Sequence, residues 1–140
     1  PTVSFSMGNA WLHLKKDVLA TAEYEKVLRY YETIASRIPA INPEIKRHQN
    51  VFGMLVNSHN NIGVAWEMRH QRTKDAEWER KALMSFWKAR EIADRLNRVG
   101  FEYPENNIRY ILHRDVKRGM AIAPELGKGN IPKYLNYERQ

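Results

Sequence analysis

Met7-Gly8-Asn9-Ala10-Trp11 and Ile62-Gly63-Val64-Ala65-Trp66 are two copies of one string, 55 residues apart. Each reads apolar, glycine, any residue, alanine, tryptophan. The same offset lays Val27-Leu28 on Ala82-Leu83, Tyr31 on Phe86 and Ile34 on Ala89. A partial third copy has a shorter offset, where Asn60-Asn61-Ile62 recurs as Asn106-Asn107-Ile108. Several matches at one offset mark an internal repeat, in which one supersecondary unit stacks on the next. The residue types suit closely packed helix hairpins. Glycine or alanine in the first helix lets the second approach, and an aromatic ring fills the space beside it. A lone hairpin buries only part of its apolar face, so a stacked neighbour must complete the core.

Working outward from these strings, the chain reads as helices. Met7, Ala10, Trp11 and Leu14 recur at helical spacing over residues 5–16. A second helix over 21–38 carries Tyr24, Val27, Leu28, Tyr31, Ile34 and Ala35 inward, with Thr21 as its N-cap. Pro39 stops it, because proline cannot continue the hydrogen-bond ladder. Asn42-Pro43-Glu44 is a helix start, with a capping residue, a first-turn proline and an acid facing the dipole. From there a long helix runs to residue 72, with Ile45, His48, Phe52, Leu55, His59, Ile62 and Trp66 in one stripe. Its partner covers 74–97, with Trp78, Ala82, Leu83, Phe86, Ala89 and Ala93 on one side and Gly100 just beyond its end. Pro104-Glu105 opens a shorter helix to residue 117. Glycine and proline then punctuate the chain at Gly119, Pro124, Gly127, Gly129 and Pro132, so residues 119–140 read as an irregular tail docked on the helices. No strand pattern competes.

The order apolar-Gly-x-x-aromatic, then Ala-x-x-x-aromatic, resembles the tetratricopeptide repeat. Ile62-Gly63-x-x-Trp66 followed by Ala82-x-x-x-Phe86 is the better copy. Met7-Gly8-x-x-Trp11 followed by Val27-x-x-x-Tyr31 and Pro39 is the poorer. The resemblance implies an all-α fold of stacked antiparallel hairpins in a right-handed superhelix. On this reading residues 1–118 form the repeat domain, with hairpins at 4–39 and 43–98 and an extra helix at 105–117. Two departures stand out. The glycine-to-small-residue gap is about two helical turns too long, and the period of 55 exceeds the family's roughly 34 residues. They imply lengthened helices or extended turns near 15–20 and 72–75.

The totals fit such a module. The 140 residues suffice for one domain, and 43% hydrophobic with 28% charged is a globular balance. A first residue Pro1 with no initiator Met leads to the expectation that the chain is a piece of a larger protein. No apolar run approaches the roughly 18–20 residues that span a membrane. With no cysteine there is no disulfide framework, thiol nucleophile or thiolate metal site. The net charge of +7 raises an anionic partner, nucleic acid or surface, as the alternative function. Its distribution weakens that alternative. Residues 1–72 carry nine Lys/Arg against six Asp/Glu, and 73–140 carry fourteen against ten, so the excess is spread as a solvated surface.

Nothing in the sequence assembles catalytic chemistry. His113-Arg114-Asp115 followed by Ala123-Pro124-Glu125 echoes protein-kinase strings, but Met120 stands where a metal-binding asparagine is needed. The five histidines form no HExxH and no pair four apart. Gly127-Lys128-Gly129 lacks phosphate-loop spacing. No enzyme activity, metal or cofactor is expected. Trp87, beside Phe86, is the tryptophan expected to be exposed.

The expected function is protein–protein interaction. In the family, first helices of successive repeats line a groove that receives a peptide. Carried onto this chain, that picks out Asn9, His13, Asn57, Asn60, Val64 and Glu67, then Asn106, Tyr110, His113 and Arg114. Asparagine has low helix propensity, and its amide can both donate to and accept from a peptide backbone. The family's carboxylate clamp is incomplete, because Phe5 stands where its lysine would be. Self-association through the open ends of the stack is a second partner expectation. A regulatory or assembly role beside an enzyme outside this chain is a third reading of function.

Overall fold

The computed structural model describes residues 1–96, 107 and 108. It contains α1 (Thr2–His13), α2 (Asp17–Ala35), α3 (Lys46–Thr73) and α4 (Ala76–Arg95), and no strand among the described residues. The fold is all-α. Neighbouring helices pack in chain order, α1 on α2, α2 on α3 and α3 on α4. No helix among the described residues is long and apolar enough to cross a membrane.

Both hairpin turns close on a lysine in the left-handed region, Lys15 at φ 62° and Lys74 at φ 61°. That conformation lets the chain leave a helix sharply. The turns are therefore short, and the extended connections expected near 15–20 and 72–75 are absent. α2 starts at Asp17, one turn before the expected Thr21. Thr21 lies inside the helix, where its hydroxyl donates to the Val18 carbonyl at 2.9 Å. Asn42-Pro43-Glu44 forms a turn ahead of α3, with the Asn42 side chain accepting from Glu44 N at 3.0 Å. α4 opens on Asp75, whose carboxylate accepts from Glu77 N at 3.0 Å. Of the helix expected at 105–117, only 107 and 108 fall among the described residues, and both are helical.

The two motif glycines, Gly8 and Gly63, are close helix contacts. A Cβ at Gly63 would lie 2.5 Å from Phe86 Cε1, and one at Gly8 would lie 2.7 Å from Tyr24 Cε1. The second contact corrects the sequence alignment, which set Gly8 against Tyr31. The ring that fills the Gly8 socket comes seven residues earlier, with Ala20 one turn before it, and Ala20, Tyr24 and Val27 are fully buried. The 55-residue offset thus holds for α1 and α3 but not for α2 and α4.

The reason is a difference in hairpin length. α3 continues ten residues beyond Gly63, whereas α1 continues five beyond Gly8. At 1.5 Å per residue the second hairpin overhangs the first by about 7 Å. The overhang has its own core. Trp66 and Trp78 stack with centroids 5.3 Å apart, and the Arg69 guanidinium lies 4.5 Å from the Trp78 centroid. His70 bridges the Asp75 carbonyl and the buried Glu79 carboxylate at 3.0 and 3.2 Å. Trp87 is buried rather than exposed. Ile45, Met7 and Leu14 turn outward instead of joining the core stripes.

Candidate partner-binding groove

The exposed side of α3 carries Asn57, Asn60, Val64, Glu67, Met68 and Gln71 at one-turn spacings. Because α3 overhangs α1, the end of this stripe faces the α1–α2 turn across open space. The resulting groove has a volume of about 440 Å³, lined by Lys15 and Asp17 on one side and by Val64, Glu67, Met68, Gln71 and Arg72 on the other. Val64 and Met68 supply an apolar floor. Gln71 donates to Glu67 at 2.9 Å, which fixes both polar side chains along the rim.

The groove wall is held by an ion cluster. Asp17 accepts from Arg69 Nε at 3.1 Å and from Arg72 Nη2 at 3.0 Å, while Arg69 Nη2 donates to Thr21 at 3.0 Å. Burial would raise the Asp17 carboxyl, but hydrogen bonds from Arg72 and Arg69 outweigh it and hold the pKa below the usual 3.8. The start of α2 is thereby tied to the end of α3.

Two of the expected site residues, Val64 and Glu67, lie in this groove. Asn9 lies further along and is engaged internally: its Oδ1 accepts from the Tyr24 hydroxyl at 2.5 Å and from Asn61 Nδ2 at 3.0 Å. Burial of Tyr24 raises its hydroxyl pKa to about 12, against a lowering by the Asn61 amide. One repeat on, Asn107 Nδ2 donates to Asn60 Oδ1 at 3.1 Å. Asn61 and Asn107 hold the same place in the Asn-Asn-Ile match, and each donates back to the preceding first helix. The asparagines therefore tie successive first helices together along the groove side. His13 and Asn57 are exposed. Asn106, Tyr110, His113 and Arg114 lie outside the described residues.

Sequence reasoning missed Met68, Gln71, Lys15, Asp17 and Arg72. The first two continue the Val64 spacing and were legible. The others reach the groove only through the overhang, which no local pattern encodes.

A second cavity of about 360 Å³ lies between α2, α3 and α4, with Phe52 and Leu55 below and Glu32, His59, Lys88 and Arg95 at its edge. Burial and the nearby Lys88 ammonium depress the His59 pKa to about 4. Glu32, 3.5 Å from Nε2, pulls the other way, but its side chain is 54% exposed and water weakens it. No group of three His, Asp or Glu placed to hold a metal occurs among the described residues.

No family model, curated protein or solved structure matches this chain.

Proposed function

We propose that the chain is a tetratricopeptide-like interaction module, a right-handed stack of helix hairpins that holds an extended partner segment along its first helices. The observation that carries this reading is the open groove of about 440 Å³ beside Val64 and Met68. An apolar floor with polar groups fixed at its rim suits a peptide, whose side chains seek the floor while its backbone seeks hydrogen bonds. The packing supports the family resemblance too. Gly8-x-x-Trp11 with Ala20-x-x-x-Tyr24, and Gly63-x-x-Trp66 with Ala82-x-x-x-Phe86, each follow the family's Gly-x-x-aromatic and Ala-x-x-x-aromatic pattern. With Tyr24 in place of Tyr31, the first hairpin loses the excess length that set it apart.

Lys15 and Arg72 at one end and Glu67 on the rim give the groove mixed charge, so selectivity rests on placement rather than net attraction. The test is selection of random peptides displayed on phage against the full chain. Enriched peptides are expected to bind the purified protein, and Val64→Glu to weaken them at least tenfold, or about 1.4 kcal/mol. Failure of any peptide to enrich, or binding indifferent to Val64→Glu, would overturn the proposal.

A further inference from the structure

We propose that the cavity between α2, α3 and α4 binds a small amphipathic monocarboxylate. Its apolar body lies on Phe52, Leu55 and Ile92, and its carboxylate is held by Lys88 and His59 with Arg95 nearby. The site shares no residue with the peptide groove. α2 and α4 each pack along α3 and scarcely touch one another. The gap between them is floored by Phe52, Leu55 and His59, whose spacings of three and four put them on one face of α3. Ala35 and Ser36 of α2 line one side, and Lys88, Ile92 and Arg95 of α4 the other. The opening thus comes from two second helices sharing one first helix, inside the stack. Its volume of about 360 Å³ leaves room for about twelve non-hydrogen atoms, at about 30 Å³ each.

The polar groups of the lining call for an anion. Other cations of α4 are engaged: Arg80 pairs with Glu77, Arg90 pairs with Asp94, and Lys81 lies over Trp78. Lys88 and Arg95 have no acidic partner among the described residues. They flank Ile92 at spacings of four and three, so their stems follow an apolar wall while their charged heads sit at the mouth. Against these two cations the described lining sets one acid, Glu32, a net charge of +1 when His59 is neutral. That balance favours a ligand with a single negative charge. His59 supplies a directional contact. Its side chain is only 13% exposed, and Glu32 approaches Nε2 at 3.5 Å, beyond the roughly 2.7–3.2 Å of a good hydrogen bond. With a pKa of about 4 the ring is neutral at pH 7 and keeps one N–H. A carboxylate seated beside Lys88 accepts that N–H and meets the ammonium, a charge-assisted pair of contacts.

The probe is octanoate, which fits this volume, titrated into the full chain at pH 7 and followed by calorimetry. Saturable one-to-one binding is expected. Lys88→Gln should weaken it about tenfold, the loss of one charge-assisted hydrogen bond. Arg95→Gln should weaken it about threefold, as suits an exposed charge. 1-Octanol, with the same body and no charge, should bind about tenfold more weakly than octanoate. Val64→Glu in the groove should leave octanoate binding unchanged. Both substituted cations are exposed, and far-UV circular dichroism checks that each variant is folded. A readout on the parent chain needs no variant: the His59 ring signals in the nuclear magnetic resonance spectrum should move with octanoate occupancy, and those of His70 should not. Absence of saturable binding overturns the proposal. So does octanol binding as tight as octanoate, binding that survives both glutamines, or occupancy that leaves the His59 signals in place.

Discussion

Replacing Gly63 by alanine puts a methyl group where Phe86 already sits. The added carbon would lie 2.5, 2.7 and 2.9 Å from three ring atoms. Carbon atoms in a packed interior keep about 3.5–4.0 Å, so the ring must retreat by about 1 Å. Phe86 is 2% exposed and has no solvent to move into. Overpacking of this kind costs about 1–3 kcal/mol. Alanine also favours the helix by about 1 kcal/mol over glycine, which masks part of that cost. Gly53 removes the ambiguity. It lies in the same helix, and a Cβ there meets nothing within 4 Å. Gly53→Ala should therefore gain the propensity alone and raise stability by about 1 kcal/mol. The difference between the two alanine variants cancels propensity and isolates packing, an expected gap of about 1–3 kcal/mol. Urea unfolding followed at the helical circular-dichroism band measures both. If Gly63→Ala unfolds at or above the midpoint of Gly53→Ala, the glycine socket is not a close contact, and the hairpin register built on it is wrong.

Asp17→Ala should destabilise the chain by about 2–3 kcal/mol, somewhat less than breaking a fully buried ion pair costs, because the Arg72 side chain is 56% exposed. In the parent, the depressed Asp17 pKa contributes stability above pH 3.8 that is lost as pH falls through the lower folded value, and acid titration of Asp17→Asn should lack that limb. His59 acts at milder pH. With a folded pKa of about 4 against 6.5 when unfolded, only the unfolded chain takes up its proton between those values. Stability should fall by up to about 3 kcal/mol from pH 6.5 to pH 4, and chemical denaturation of His59→Gln should show a flatter profile. Ser58 is fully buried with no hydrogen-bond partner for its hydroxyl among the described residues. Ser58→Ala removes that unmet group and should raise the unfolding free energy by about 1 kcal/mol, so a measured loss would place an unseen partner there.

Helix content and the glycine sockets were legible because they depend on neighbours along the chain. The 3.6-residue period of Phe52, Leu55, Ile62 and Trp66 marks a buried face whatever covers it. A helical glycine flanked by apolar residues signals close approach, and both Gly8 and Gly63 meet a ring. Two of the seven groove-lining residues were found in the same way. Val64 and Glu67 sit on the exposed side of α3, as their distance from the motif glycine implied. Asn9 and Asn60 were found for a property that serves another end, since amides able to grip a peptide can equally link two helices.

What the sequence determined by itself was the helical class, the repeated first helix and the glycine that each second helix must cross. All follow from short-range periodicity and the space a side chain occupies. Which aromatic fills the first socket was decided only in three dimensions. Tyr24 and Tyr31 are seven residues apart on one helical face, so periodicity cannot choose between them. The choice falls to helix length, set by where Lys15 and Lys74 turn the chain. That same length difference creates the overhang, brings Asp17 to Arg69 and Arg72, and opens the groove. Contacts across such distances depend on how whole helices stack, and stacking is a property of the assembled core rather than of any segment in it.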